Sequence, residues 1–447
     1  MLWGVYPEAK RNELSRALAF ALLAGEWDPD RAIGRAAEAL RPRPRWIAGV
    51  VTEVFAAYHR PPADRPRELT AFIAVLLGRR TTTRPAPDVH RWFLPESAMG
   101  RMRWPVPELA DPAALGAFLD LDPGRLEWLS DTRGLERTAT DERLRNYRYV
   151  VRPRPWGPPR VIEAPKPRLK AAQRRLLHDL LDWIPAHPAA HGFTRGRSVL
   201  SHARAHAGTH VVMRLDLEDF FASVPAARVY GVFRTCGYPE AVAHALTGLA
   251  TNTVPAAVWA ELDRPGEPGL VGAHHRLGRR LASAHLPQGA PTSPALANLA
   301  AFGLDRRLAG LARVAGLAYT RYADDLTFSG TARLVRRAGD LRRAIRAIVE
   351  DEGFRVNERK STLTTRAGRQ TVCGLVVNDR PNVNRREYET LKAILHNAGR
   401  GDPEAQNRAV VPDFRAHLLG RIAWVESVNP SHGAKLRSRY SQITWPG

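Results

Sequence analysis

The sequence predicts an α+β fold, and three observations predict it. Short β-like runs at 149–151, 160–162, 211–216, 317–328, 354–357 and 371–377 concentrate in the middle and later chain. Stretches with apolar residues at helical spacing precede, separate and follow them. Gly and Pro clusters fall between the two kinds of pattern rather than inside them. Strands grouped in this way, without regular strand–helix alternation, are the α+β arrangement.

Taken in order, residues 1–95 read as helical. Leu14, Leu18, Ala21 and Leu22 recur at helical spacing, as do Ile47, Val51, Val54 and Phe55. Arg41-Pro42-Arg43-Pro44-Arg45 and Arg60-Pro61-Pro62-Ala63 break the segments. No catalytic pattern falls here, so RNA or partner binding is the expectation. Residues 83–95 are polar and proline-punctuated, as a linker is. Two short helices are expected over 109–129, begun by Asp111-Pro112 and Asp122-Pro123, each with Asp as cap and Pro at the first helical position. Residues 147–165 read as a hairpin with a basic, proline-stiffened loop. The helix at 169–184 puts Leu169, Ala172, Leu176, Leu180 and Ile184 on one face, with Lys170, Arg174 and Arg175 off it. Hairpin and helix together suit phosphate binding and equally suit an ordinary solvated face.

A Gly-punctuated loop at 191–198 leads to a short helix through His206. The apolar run 211–216 is a buried-strand pattern closed by Asp216. Residues 224–250 read as helical, and 256–283, rich in Gly, Arg and His, as an irregular, mobile insertion. A turn-rich loop at 286–294 carries Gln288 and opens a helix at 295–311. An amphipathic helix at 332–352 has Leu334, Ala338, Leu341, Ile345 and Ile348 as its stripe, and Gly353 stops it. Strands at 354–357 and 371–377 and basic helices at 385–398 and 414–428 complete the chain.

Between Leu317 and Gly330 lies Tyr322-Ala323-Asp324-Asp325, which reads as strand, tight turn, strand. Two adjacent carboxylates at a hairpin tip repel unless a cation resolves them. Mg²⁺ takes hard oxygen ligands and binds through one or two carboxylates plus substrate phosphates. A bare Asp-Asp also fits a solvated turn.

Bulk composition bounds the partners. The 447 residues carry a formal net charge of +22, which points to a polyanion, most simply nucleic acid. Of 67 basic residues only Lys10, Lys166, Lys170, Lys360, Lys392 and Lys435 are lysine. A GC-rich genome explains such an arginine bias, and arginine also binds phosphate bidentately and stacks on bases. Cys236 and Cys373 stand apart without His or Cys company, so neither zinc nor a disulfide framework is expected. The apolar stretches 17–25 and 69–78 are too short to span a membrane, and no signal peptide is evident. A soluble cytoplasmic protein is the expectation.

The order of these features, a strand ending in Asp216, a Pro287-Gln288-Gly289 loop and helix, Asp324-Asp325 on a hairpin, an amphipathic helix, a lone Lys360 and a Gly374-containing strand pair, resembles the reverse transcriptase family over about residues 109–447. The resemblance implies a right-hand polymerase: a helical N-terminal extension at 1–95, fingers at 105–210, palm at 211–380 and thumb at 381–447. It implies Asp216 and Asp324 as principal metal ligands, helped by the Leu217 carbonyl, with Asp325 as third carboxylate. Two Mg²⁺ ions about 3.5–4 Å apart, replaceable by Mn²⁺, would activate a primer hydroxyl and stabilise leaving pyrophosphate. Phe221 takes the place of the steric gate against a 2′-hydroxyl; a core aromatic is the other reading, which Phe220 fits better. Gln288 matches the residue lining the incoming nucleotide, Arg160 a fingers residue on the triphosphate, and Asp219 a residue that meets the nucleotide through its amide. Lys360 matches a residue proposed to protonate pyrophosphate, since Lys gives up a proton and Arg does not; a solvent-facing side chain is the alternative.

Within the family the chain is most similar to bacterial retron-type enzymes, through His191-Gly192-Phe193, Ser198 and the short helix before Asp216. That group carries Asn-Ala-x-x-His where this chain has His202-Ala203-Arg204-Ala205-His206, and Val-Thr-Gly where it has Val372-Cys373-Gly374. Both departures fall on motifs that the resemblance links to RNA recognition, so His202, His206, Cys373 and Gly374 are expected RNA-binding positions. The implied partners are a structured non-coding RNA serving as template and primer, an RNA–DNA duplex, dNTPs and a defence effector protein, with no membrane. The implied product is a branched RNA–DNA hybrid made in anti-phage defence. No RNase H, maturase or endonuclease segment is recognised, which argues against a mobile-element enzyme. Two rivals remain: another defence-associated reverse transcriptase with different priming or untemplated synthesis, and a non-catalytic RNA-binding scaffold. Intact Asp216, Asp324, Asp325, Gln288 and Lys360 argue against the scaffold.

Overall fold

The computed structural model describes residues 6–79, 86–154, 157–262 and 267–445. The chain forms two compact units, one of residues 1–185 with 224–296 and the other of 186–223 with 297–447. Residues 186–210 fold with the later chain, and 224–296 with the earlier.

The first unit begins with helices Glu8–Leu23, Pro29–Ala39, Ile47–Ala57 and Pro66–Gly78. Asp28 caps the second by accepting from the Arg31 amide, with Pro29 at its first position. Leu14, Leu18, Ile47, Val51, Leu69 and Ile73 share one buried core. The expected linker is structured in part. Asp88–Val89 pairs antiparallel with Leu40–Arg41, and Val89 and Phe93 pack against the helical core, which anchors it. Its residues 83–85 lie outside the described residues.

Asp111 and Asp122 cap Pro112–Leu119 and Pro123–Leu129 as their sequences demand. Tyr147–Arg152 and Arg160–Pro165 pair from Tyr147↔Pro165 to Arg152↔Arg160; residues 155 and 156 of the loop between them lie outside the described residues. The helix behind them is Pro167–Asp179, ended by a 3-10 turn at Leu181–Trp183. Residues 224–250 make two helices, Ala226–Thr235 and Glu240–Ala250, because Gly237 turns at φ +94 and Pro239 cannot continue the first. The expectation of an irregular insertion at 256–283 is corrected. Ala256–Ala260 and Pro268–Leu281 are helices, and His274 lies on Trp259 with ring centroids 4.5 Å apart. Residues 263–266 between them lie outside the described residues.

The second unit holds a four-stranded antiparallel sheet in the order Ala318–Tyr322, Asp325–Gly330, Val211–Leu217, Val356–Thr365. Val211–Leu217 lies between two strands, and its Val211, Val212, Met213, Leu215 and Leu217 are buried while Arg214 and Asp216 are half-buried. Phe302–Ala315 and Arg333–Asp351 are helices beside this sheet. The single helix expected at 295–311 is two, Ser293–Ala300 and Phe302–Ala315. Thr371–Val372 and Leu375–Val376 form a small hairpin turning at Cys373 and Gly374, with φ +44 and +84. Arg385–Ala398 and Phe414–Val428 appear as expected, with an unforeseen third helix, Pro430–Tyr440. Leu391, Leu395, Leu418, Ile422 and Leu436 bind the three into one core with Val372 and Leu375. No helix among the described residues is long and apolar enough to cross a membrane.

Candidate active site

Asp216 stands next to last in Val211–Leu217, opposite Asp325 on one neighbouring strand and Asn357 on the other. The Asp324 carbonyl accepts from the Leu217 amide at 2.8 Å, so the turn of the hairpin is fastened to the end of the central strand. That turn needs Ala323 at φ +54. It also needs a glycine beside it: a Cβ on Gly192 would lie 2.6 Å from the Ala323 nitrogen. The His191 amide donates to the Arg321 carbonyl at 2.7 Å and seats the loop there.

The three carboxylates have different surroundings. Lys360 Nζ lies 3.0 Å from Asp216 Oδ1, and Asn357 Nδ2 donates to the same oxygen at 3.3 Å. Burial, then the Asp324 charge, hold the Asp216 carboxyl above its ordinary value, against the pull of Lys360. Asp325, registered opposite Asp216, is buried. Arg214 Nε donates to its Oδ2 at 3.2 Å, Thr327 Oγ1 to its Oδ1 at 3.3 Å, and the Cys373 thiol lies 3.9 Å from Oδ2. Burial raises the Asp325 carboxyl too, with Arg214 opposing. No group of three His, Cys, Asp or Glu side chains able to hold a metal ion gathers among the described residues. Asp216 is thus held by Lys360 and Asn357, and Asp325 by Arg214 and Thr327.

Phe220 and Phe221 divide as the sequence suggests. Phe220 is buried and stacks on Phe354 at 5.7 Å, whereas Phe221 is half-buried beside Phe193 at 6.2 Å. Asp219 turns the chain at φ +48 between strand end and aromatic pair. Arg160 and Gln288 belong to the first unit, where Arg160 is exposed and Gln288 is half-buried.

His202 and His206, the expected RNA-binding positions, are fully buried. His202 and His206 bond into the Asp324-Asp325 hairpin, and the ring of His191 lies 5.7 Å from that of His202. His202 Nδ1 is hydrogen-bonded to Thr320 Oγ1 at 2.6 Å and His202 Nε2 to Thr327 Oγ1 at 3.3 Å. His206 bonds Ser329 at 2.8 Å and Thr320 at 2.7 Å, and His191 bonds Ser201 at 2.8 Å. Burial lowers their pKa values to about 2, 3 and 4 for His202, His206 and His191, so all three are neutral. Thr327 joins this network to Asp325. Cys373 is half-buried, and burial with Asp325 pushes its thiol up to about 12, so it stays protonated. Gly374 is exposed.

Two supporting residues escaped sequence reasoning. Arg214 interrupts an apolar strand and Arg321 precedes Tyr322 on another; a charge inside a buried strand was the available signal. Arg321 is fully buried and paired with Asp305, which is also fully buried.

The family described as Reverse transcriptase (RNA-dependent DNA polymerase) matches residues 153–394. The chain is 42% identical over 298 residues to the Retron Mx65 reverse transcriptase of Myxococcus xanthus, covering 67% of this chain and 65% of that protein. It is 37% identical over 350 residues to the Retron Mx162 reverse transcriptase of the same organism, covering 75% and 67%. It is 33% identical over 285 residues to the Retron Ec86 reverse transcriptase of Escherichia coli, covering 64% and 76%. The chain thus spans about two thirds of the length of the first two relatives. With more than half the chain matched and retron enzymes on every side, it belongs to the reverse transcriptase (RNA-dependent DNA polymerase) family, has that family's right-hand polymerase fold, and is of retron type.

Proposed function

We propose that this chain is an RNA-directed DNA polymerase that copies part of a structured non-coding RNA into short single-stranded DNA, leaving a branched RNA–DNA hybrid. The observation that carries the reading is the Asp216 carboxylate at a strand end, destabilised by burial and by Asp324, with Lys360 against it. A divalent cation relieves that destabilisation, so Asp216 and Asp324 suit Mg²⁺, with Asp325 as an anchor for the hairpin rather than a free ligand. When bound, Mg²⁺ supplies Lewis-acid activation of the primer hydroxyl and charge stabilisation of pyrophosphate. The resemblance assigns Lys360 the proton given to the leaving group. The family resemblance assigns Gln288, Arg160 and the Asp219 amide each a part in binding the incoming dNTP. An anti-phage setting with an effector protein follows from the retron resemblance and belongs to the same proposal.

The test is on nucleic acid that co-purifies with the protein from its native genomic neighbourhood, with Asp324→Ala as control. A short discrete DNA joined to a structured RNA, absent from the control, is expected. RNA alone in both samples, with no metal-dependent nucleotide incorporation in vitro, would leave only a binding scaffold.

Phe221 carries the sugar discrimination in this reading. Phe221→Ala should raise incorporation of ribonucleotides relative to deoxynucleotides by at least about tenfold, because the ring that meets a 2′-hydroxyl is gone. Single-nucleotide incorporation with each sugar checks it, and Phe220→Ala should instead lower stability.

A further inference from the structure

The structure assigns Glu163 and His285 a role as positioning residues: a buried pair that clamps the Gln288 loop to the strand bearing Arg160. All of its parts lie in the first unit. Glu163 sits in Arg160–Pro165, three residues from Arg160, and its side chain is 1% exposed, as is that of His285. The Glu163 amide donates to the Gln288 carbonyl at 2.9 Å, and the Gln288 amide donates to Glu163 Oε1 at 3.3 Å. Gly289 completes the approach. It turns at φ +135, and a Cβ there would lie 2.8 Å from the Glu163 carbonyl oxygen.

The carboxylate is held from both sides. Asn252 Nδ2 donates to Oε2 at 2.7 Å, and His285 Nε2 lies 3.1 Å from Oε1. His285 Nδ1 faces the Ser283 carbonyl at 2.7 Å, which can only accept, so Nδ1 carries a proton. With a carboxylate facing Nε2, both nitrogens donate and the ring is an imidazolium. Burial alone would lower its pKa; the Glu163 charge outweighs that and raises it. Backbone bonds between Asn252 and His285, 2.9 Å in both directions, tie the partners together. Arg148, Arg152 and Arg160 share the two strands; Tyr147 and Tyr149 feel the Glu163 charge, Glu136 meets Tyr149, and all three are raised first by burial. Tyr149 joins the network by accepting from Asn252 and donating to Glu136.

The inference rests on the reading of Gln288 and Arg160 as nucleotide residues. The His285 contribution is complete below its ordinary value of 6.5 and is lost as pH rises through the raised value. Steady-state incorporation on an RNA template with a DNA primer tests it, using the full chain and Glu163→Gln, His285→Gln and the milder Asn252→Ser, which keeps the test open if a buried-pair variant misfolds. Glu163→Gln should raise KM for dNTP about tenfold with kcat within about threefold, and primer–template affinity unchanged. The Glu163→Gln/His285→Gln double variant should be no worse than either single one, since the two act as a unit. Wild-type kcat/KM should fall on the alkaline side, and His285→Gln should remove that limb. Variants that lose thermal stability yet keep wild-type KM and the alkaline limb, while Gln288→Ala raises KM, would overturn the clamp. An unchanged KM in Gln288→Ala would overturn the nucleotide reading beneath it.

Discussion

Asp216→Asn should abolish nucleotide incorporation, by at least about a thousandfold, while raising the thermal midpoint of the metal-free protein. The two effects have one origin. The carboxyl of Asp216 is held above its ordinary 3.8, first by burial and then by the Asp324 charge. A carboxyl with a raised folded pKa binds its proton more tightly folded than unfolded. Stability is therefore gained as pH falls through the raised value, and the ionised form at neutral pH weakens the fold. Asparagine keeps the shape and removes the charge at every pH. The pair with Lys360 is lost, but Lys360 is half exposed, and such pairs contribute at most about 1 kcal/mol. Mg²⁺ should raise the midpoint of the wild-type protein and not that of the variant. Thermal melts between pH 5 and 8, with and without Mg²⁺, beside an incorporation assay, decide it. Loss of activity accompanied by loss of stability would mean that Asp216 serves the fold instead of the reaction.

What the sequence made legible follows from where each signal resides. Caps and periodicity are local, so Asp111-Pro112, Asp122-Pro123 and the 385–398 and 414–428 helices were readable to within a few residues. Pro430 was not, because a proline after a helix reads as a stop, whereas here Asn429 caps and Pro430 opens a new helix. The Gly- and Arg-rich 268–281 segment was misread for a similar reason. Its glycines lower helical propensity, and the packing that overrides this, Trp259 against Gly278, comes from another element. The strand-end carboxylates were visible because acidic residues interrupt apolar runs. Their different surroundings were not, since Arg214 and Cys373 reach Asp325 from distant stretches of chain. The burial of His202 and His206 is not legible in the sequence either, because their hydroxyl partners Thr320, Thr327 and Ser329 lie more than a hundred residues away.

Arg321 gives the second large effect. Arg321→Met should destabilise the protein by about 3–5 kcal/mol, a large share of the roughly 5–15 kcal/mol that holds a typical domain. Neither Arg321 nor Asp305 has any exposed side-chain surface. Arg321 Nε donates to Asp305 Oδ1 at 2.8 Å and Nη2 to Oδ2 at 2.6 Å, while Nη1 donates to Asn298 Oδ1 and to the Ala323 carbonyl, each at 3.0 Å. Methionine leaves Asp305 buried without its counterion, which is the costly half of breaking such a pair. It also releases the Ala323 carbonyl, one residue before Asp324, so activity should fall further than the folded fraction does. A second variant separates the two losses. Arg321→Met with Asp305→Leu removes both charges, and apolar replacement of a whole buried pair is often neutral. The double variant should therefore recover at least about half of the lost stability but little of the activity, because nothing restores the bond to the Ala323 carbonyl. Urea unfolding and incorporation assays at low temperature measure the two quantities independently. Recovery of both together would show that Arg321 only fills space. Recovery of stability alone would show that the fold and the aim of the Asp324 turn are separate uses of one buried guanidinium.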